Sequence, residues 1–316
     1  MWATKRLFAL ALSMSSAAAG VVAAEGSGAR LTPVEEHRKQ QLASLLCATR
    51  ELDCAYVTGL FSDPRLRIYY PPAPERKKPP ELQKEREQNP FFRERFGLLT
   101  TESLERCRGF LQMHAAAFDA AYQKYGVPPQ IICGILRIET DFGMPTRLSP
   151  HPLGTIPVIN RLVTLYVRLS PGERSFRHFV RQQEFALLEL KDLLKAAAKF
   201  GWDVFEIPGS PTGAIGLAQF EPSSLKDAVD GNGDGTIDLF DPSDAIPSVA
   251  HYLVTRGWDA DTRHQERAIY AYYGGNYDAD PHKYYMAAVL RYAHEISEYL
   301  KDHPVESESA ATHQPE

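Results

Sequence analysis

Tyr125-Gly126-Val127-Pro128-Pro129-Gln130-Ile131-Ile132-Cys133-Gly134-Ile135-Leu136-Arg137-Ile138-Glu139-Thr140-Asp141-Phe142-Gly143 is the stretch on which the reading of the fold turns. Gly126 suits a helix end, because glycine enters the left-handed C-terminal conformation without a Cβ penalty. Pro128 and Pro129 open the next helix where a missing N–H costs nothing. Ile131, Ile132, Ile135, Leu136, Ile138 and Phe142 are its apolar positions, and Gly143 is its expected end. Glu139 follows Ile132, Ile135 and Leu136 by seven, four and three residues, which places it on their face. A carboxyl bordered by aliphatic side chains loses hydration, so its pKa is expected to rise. A general acid working near neutral pH needs that property. The competing reading is a part-buried glutamate paired with Arg137 or Arg147. Asp141 would point roughly 200° away on a continuing helix, so the two carboxyls do not form a facing pair.

The same periodicity continues on both sides. Residues 31–62 read as helical, with Leu42, Leu45, Leu46 and Leu60 as core positions. Residues 70–90 are dense in proline and charge and read as a linker or extended arm. Thr101 is the expected cap of a helix through Leu104, Cys107, Leu111, Phe118 and Tyr122 to Gly126. A long helix is expected from about Glu173 to Phe200, with a stripe of Phe176, Phe179, Gln183, Leu187, Leu190, Leu194 and Ala197. Another is expected to begin near Gly213 and to hold Gln219 and Phe220. Residues 246–300 alternate short helices with aromatic-rich loops. No alternating strand pattern stands out, so the expected class is mainly α.

The chain has 316 residues, 44% hydrophobic and 24% charged, with a formal net charge of -5, which is globular composition without a basic surface. Nucleic acid is therefore not an expected partner. Lys5 and Arg6 precede an apolar run from Leu7 to Val22, and Val22-Ala23-Ala24 lies before Glu25. Residues 1–24 read as an export signal cleaved before Glu25, with a retained anchor as the rival reading. No cysteine adjoins the cleavage point, so a lipid anchor is not expected. The rest divides into a helical region with its linker at 25–94, a main domain at 95–300 and a disordered tail at 301–316. Export permits oxidation of Cys47, Cys54, Cys107 and Cys133. Cys47 and Cys54 would stand roughly 10 Å apart on one straight helix, and could pair if the chain turns near Leu52-Asp53. Cys107 and Cys133 read as buried free thiols.

Asp230-Gly231-Asn232-Gly233-Asp234-Gly235-Thr236-Ile237-Asp238 reads as an EF-hand loop. Side-chain oxygens fall at positions one, three, five and nine. Gly235 stands at six for the sharp turn, and Thr236 offers its carbonyl at seven. Calcium, as a structural clamp, is the expected cofactor. Position twelve is Asp241, whose arm is shorter than the usual glutamate's.

Two segments carry a resemblance. Tyr125–Pro129 with Ile138–Gly143, and Gly213-Ala214-Ile215-Gly216-Leu217-Ala218-Gln219-Phe220-Glu221-Pro222-Ser223-Ser224, resemble in order and separation the motifs of the lytic murein transglycosylase B family, glycoside hydrolase family 103. The likeness covers roughly residues 95–300 and, more weakly, 30–70. It implies a lysozyme-like α core with an inserted EF-hand-like calcium loop at 230–244 and an additional N-terminal helical region. It implies cleavage of the MurNAc–GlcNAc bond of peptidoglycan without water. Glu139 would protonate the leaving oxygen and then, as a base, take the C6 hydroxyl proton of the muramic acid, closing a 1,6-anhydro ring. By the same match, Ser210 and Gln219 would hydrogen-bond the sugars and Phe220 would line the groove. Tyr272-Tyr273 and Tyr284-Tyr285 look like the family's C-terminal tyrosines, with Tyr272, Tyr273 and Tyr285 as candidate sugar contacts. The calcium ligands would be Asp230, Asn232, Asp234, Thr236 and, closing a longer loop, Asp244. Gly274-Gly275 departs from the polar residue that many relatives carry after the tyrosine.

The expected location is the periplasm. The expected partners are glycan strands of peptidoglycan, and proteins of cell-wall synthesis or division are candidates. Rival readings are a muramidase that uses water, a catalytically weak peptidoglycan-binding scaffold, and a dockerin-like binder. The last would carry the acidic loop twice, and one copy is present.

Overall fold

A computed structural model describes residues 31–69, 89–146, 149–168 and 176–305. The expected export signal, most of the proline-rich stretch, Arg147 and the end of the expected tail lie outside the described residues. Strand is confined there to two-residue pieces, so the protein is mainly helical. Among the described residues no helix is long and apolar enough to cross a membrane.

By packing, the chain forms two compact units, each drawn from two separate stretches. The first takes its described residues from 31–69 and 145–226. The second takes them from 89–144 and 227–305.

In the first unit, α1 (Pro33–Ala48) opens on a capping box. Thr32 Oγ1 accepts from Glu35 N at 3.2 Å, and the Glu35 carboxylate accepts from Thr32 N at 2.8 Å. The chain then turns through Arg50, whose φ is 56°, and Asp53 caps α2 (Cys54–Ser62). The helical stretch expected over 31–62 is thus two helices, with the chain turning before Asp53, the second of the two readings left open for Cys47 and Cys54. The break brings the Cα atoms of Cys47 and Cys54 to 4.8 Å, and the two are disulfide-bonded. Leu42 and Leu46 are buried. Leu45 is exposed and Leu60 half-buried, and in α2 the buried positions are Val57 and Phe61.

The helix α6 (Val158–Val167) packs along α7 (Phe176–Phe200) and against α1. The last turn of α6 needs partners for its carbonyls, and α7 supplies them. Gln182 Nε2 donates to Leu165 O at 2.6 Å and to Arg168 O at 3.0 Å, and Gln183 Nε2 to Tyr166 O at 3.1 Å. Of the expected α7 stripe, Phe179, Leu190, Leu194 and Ala197 are buried. A two-residue ladder joins β1 (Ile156–Pro157) to β2 (Pro208–Gly209).

The second unit begins with 3-10 turns at Pro90–Phe92 and Glu94–Phe96. The cap of α3 (Thr101–Met113) is Thr100, one residue before the expected Thr101, and its Oγ1 accepts from Ser103 N at 3.2 Å. His114 breaks the helix from α4 (Ala115–Tyr125), which Gly126 ends with φ 67° as expected. Tyr122 is exposed rather than in the core. Next come α5 (Pro129–Thr140), α8 (Pro242–Thr255), α9 (Thr262–Tyr273) and α10 (Tyr284–Asp302). α5 packs along α10, α4 along α8, and α9 along α10. Gly134 permits the α5–α10 approach, since a Cβ there would lie 3.1 Å from Val289 O. Cys107 and Cys133 are free and buried as expected, and burial pushes the Cys133 thiol well above its ordinary range.

Candidate active site

Glu139 stands in the last turn of α5 and is half-buried. Its predicted neighbours Ile132, Ile135 and Leu136 are fully buried, so the helix face is apolar as the spacing required. Its carboxyl accepts a hydrogen bond from Tyr285 Oη, at 2.7 Å from Oε1. Tyr285 comes from the first turn of α10 and is 3% exposed. Aromatic rings hold it from several sides. Tyr273 stacks at 5.5 Å and 23°, Tyr272 at 6.3 Å and 3°, and Phe91 meets it edge-on at 6.0 Å. Tyr272 is buried and braced by Tyr252 at 4.8 Å. Tyr272 and Tyr273 both stack on Tyr285, and of the pair Tyr284-Tyr285 it is Tyr285 that turns to the Glu139 carboxyl. Tyr284 instead stacks on His282.

The arginine reading of Glu139 does not hold for Arg137. That side chain is 5% exposed and turns to Asp141, with Nε 3.1 Å from Oδ1. Asp141 does not continue the helix 200° from Glu139 either. It ends α5 as a left-handed cap with φ 52°, and Phe142 follows with φ 59° and Gly143 with φ 79°. The helix therefore stops before Gly143, its expected end. Left-handed geometry costs a residue with a Cβ about 1–2 kcal/mol, and the surroundings hold it here. Asp141 is 4% exposed and receives Arg106 as a fork, Nε to Oδ1 at 3.2 Å and Nη2 to Oδ2 at 3.2 Å. Burial pulls the Arg137 pKa down, and the Asp141 charge opposes that shift. A carboxylate committed to two guanidiniums is not a free nucleophile or base.

Ser210, Gln219 and Phe220 belong to the first unit. The helix expected from Gly213 is not formed. The chain makes a tight reversal in which Ile215 and Phe220 bridge, with N···O distances of 2.9 Å in both directions. Gly213, Gly216 and Gln219 take φ of 94°, 73° and 50°. Two glycines and a polar residue at positive φ suit a turn better than helix. Ser210 Oγ accepts from Ala214 N at 3.0 Å, and Gln219 Nε2 donates to Gly216 O at 2.9 Å. Phe220 is 2% exposed, so its ring is buried rather than open to a groove.

The acidic loop precedes α8. Asp230 accepts from Gly233 N at 2.6 Å and Gly235 N at 2.9 Å, and Asp234 Oδ1 from Thr236 N at 2.8 Å. Asn232 Oδ1 accepts from Asp234 N at 3.0 Å. Gly235 takes φ 89°, which a glycine adopts without a Cβ penalty. Asp241 caps α8 through Ser243 N. Asp244 is 1% exposed and reaches back instead, accepting from Gly231 N at 2.8 Å and Asp238 N at 2.7 Å. Gly231 must be glycine, because a Cβ would collide with Ser243 O. Among the described residues no group of three or more His, Cys, Asp or Glu is gathered as a metal centre.

Sequence reasoning missed Ser103, Arg106 and Phe91. The Glu102–Arg106 spacing was visible as an i,i+4 pair, at 2.7 Å in the structure. The reach from Arg106 to Asp141, thirty-five positions on, leaves no local trace.

The fold is mainly helical, and it holds the Glu139 carboxyl against the Tyr285 hydroxyl. The chain belongs to the transglycosylase SLT domain family, which it matches over residues 38–308. It is 37% identical over 169 residues to membrane-bound lytic murein transglycosylase B of Escherichia coli K12, a stretch covering 53% of this chain and 42% of that protein. The fold is similar to that of Escherichia coli lytic transglycosylase SLT35 in complex with calcium, with TM-score 0.59, 21% identity, and coverage of 83% of this chain and 93% of that one. SltB1 of Pseudomonas aeruginosa, a soluble lytic transglycosylase, gives TM-score 0.60, 23% identity, and coverage of 83% and 99%. SltB3 of the same organism, in complex with NAG-anhNAM-pentapeptide, gives 0.54 at 23% identity over 73% of this chain and 55% of that one. At these identities the structural likeness is one of fold.

Proposed function

We propose that the protein is a lytic transglycosylase that cleaves the MurNAc–GlcNAc β-1,4 bond of peptidoglycan, with Glu139 as acid and then base. The observation that carries this is the half-buried Glu139 carboxyl with Tyr285 Oη at 2.7 Å, in a chain of the transglycosylase SLT family. Protonated Glu139 gives its proton to the glycosidic oxygen as the C1–O4 bond breaks. The resulting carboxylate removes the proton from the muramic C6 hydroxyl, whose oxygen then bonds to C1. The proton returns to Glu139, and no water is consumed.

The tyrosine hydroxyl keeps the carboxyl oriented through both steps. Stacked aromatic faces beside it suit sugar rings, and Tyr273, half-buried, is the more open of the stacked pair Tyr272 and Tyr273. Ser210 and Gln219 are assigned to the sugars by their motif alone, whereas Phe220, 2% exposed, is not. The water-using alternative needs a second carboxyl roughly 5–9.5 Å from the acid. Asp141, the nearest in sequence, is committed to Arg106 and Arg137.

The acidic loop is assigned to structural Ca²⁺, held by Asp230, Asn232, Asp234, Thr236 and Asp244. The donors are all oxygen, which suits a hard cation, and Asp244 rather than Asp241 ties the two ends of the loop. The leader at 1–24 assigns the mature protein to the periplasm.

Mass spectrometry of fragments released from purified sacculi in H₂¹⁸O tests the reaction. The expected products are 1,6-anhydro-muropeptides, one water lighter than hydrolytic ones and free of label at the new end. Reducing-end muramic acid carrying ¹⁸O as the major product would overturn the proposal.

A further inference from the structure

Directly after the helix that carries Glu139, three residues in succession are left-handed, and two of them bear a Cβ. A run of this kind persists only where its surroundings over-determine it. Phe142 is pinned by its ring, which stacks on Phe110 at 4.9 Å and 30°. Asp141 is pinned by charge. Arg106 grips both carboxylate oxygens from α3, and Arg137 approaches from one turn back on α5.

Both arginines are anchored in turn. Arg106 Nη1 donates to Glu102 Oε1 at 2.7 Å. Arg137 Nε donates to Ser103 Oγ at 2.6 Å, and its Nη2 to Phe96 O at 3.0 Å and Gly97 O at 3.1 Å. A left-handed helix cap needs no more than glycine or asparagine. A buried cluster of one carboxylate and two guanidiniums is a poor source of stability compared with apolar packing. What such a cluster supplies well is fixed geometry, and only Thr140 separates Asp141 from Glu139.

We propose that Asp141, clamped by Arg106 and Arg137, is a positioning residue for the transglycosylase reaction: the clamp fixes the last turn of α5 so that the Glu139 carboxyl stays against Tyr285. The inference rests on the reading of Glu139 as the acid. Asp141 touches neither substrate nor reacting atoms in this scheme, and acts only through the backbone it holds.

The test is steady-state release of anhydro product from soluble glycan strands by the full chain and its variants. Asp141→Asn keeps the left-handed preference and the shape but removes the charge. Asp141→Gly frees the backbone to adopt the same φ without any carboxylate. Both are expected to lower kcat by about 10- to 100-fold, as small misplacements of a catalytic group do, with KM unchanged. Arg106→Gln, which leaves the Arg137 contact intact, is expected to lower kcat in the same sense. The Arg106→Gln/Asp141→Asn double variant should be no slower than Asp141→Asn alone, because both act on one clamp.

Wild-type kcat in Asp141→Gly would show that only the backbone conformation matters, and would overturn the proposal. So would a change in KM alone. Should Asp141→Asn fail to fold, Arg106→Gln decides, and an unchanged kcat there overturns it. Activity retained by Glu139→Gln sinks the reading beneath. An inactive Glu139→Gln beside fully active Asp141 variants sinks this inference only.

Discussion

Glu139 meets the hydroxyl of Tyr285 at 2.7 Å, and a neutral hydroxyl can orient a carboxyl in either protonation state. Glu139→Gln preserves size and can still accept from Tyr285, so the fold should stand while release of glycan from sacculi falls by at least about 10²–10⁴-fold. Tyr285→Phe removes the 2.7 Å contact and keeps the stacked ring. Loss of a hydrogen bond to a group that becomes charged is worth about 1.5–3 kcal/mol, so kcat should fall roughly ten- to a hundredfold with the melting temperature little changed. Near-wild-type turbidity clearing by purified Glu139→Gln would remove the assignment. The residue types at 139 and 285 were legible in the sequence. Their meeting was not, because nearly one hundred and fifty positions separate them.

Among the elements, the acidic loop and the helix after it behave as one piece. Asp244 is buried in the first turn of α8 yet satisfies backbone N–H groups at both ends of the loop. Asp230, Asp234, Asp238 and Asp244 bring several negative charges to one short stretch. A cation bound only by the native state stabilises it by mass action. EGTA is therefore expected to lower the melting temperature, and calcium at about 100-fold above Kd to raise it by on the order of 5–10 °C. Differential scanning calorimetry of the wild type with and without calcium checks this. Identical curves would remove the metal and leave Glu139 untouched. The loop reading rests on the fixed local spacing of its glycines and oxygens. The segment from Gly213 was misread as helix because Ala214, Ile215, Leu217 and Ala218 are apolar at helical intervals. Positive φ at Gly213, Gly216 and Gln219 wins over that pattern. The sequence left a straight helix and a turn near Leu52-Asp53 both open, and the capping of α2 by Asp53 decides for the turn.

At the scale of the whole molecule, each compact unit draws on two stretches of chain. The helix with Glu139 depends on α10, which lies far downstream and supplies both its packing and the Tyr285 hydroxyl. A chain ending at residue 226 keeps α1, α2, α6 and α7 but loses α8, α9 and α10. In that truncated chain, amide hydrogen exchange should be protected in α7 and run at unfolded rates in α5. Protection of α5 equal to that in the full chain would contradict the division. A linear reading places its boundary where composition changes, near the proline-rich arm. Packing joins stretches that composition has no means of relating.

The sequence by itself determined the helical class, the apolar face beneath Glu139, the left-handed Gly126, the sharp turn at Gly235 and the motif order that carries the family resemblance. Each is set within a few residues, by side-chain periodicity or by the φ that glycine alone adopts freely. Tertiary structure alone decided that Tyr285 faces Glu139, that Arg106 and Arg137 hold Asp141 in a left-handed turn, and that Cys47 meets Cys54. These depend on which surfaces the chain brings together, and a contact between distant residues is selected by the packing of the elements that carry them.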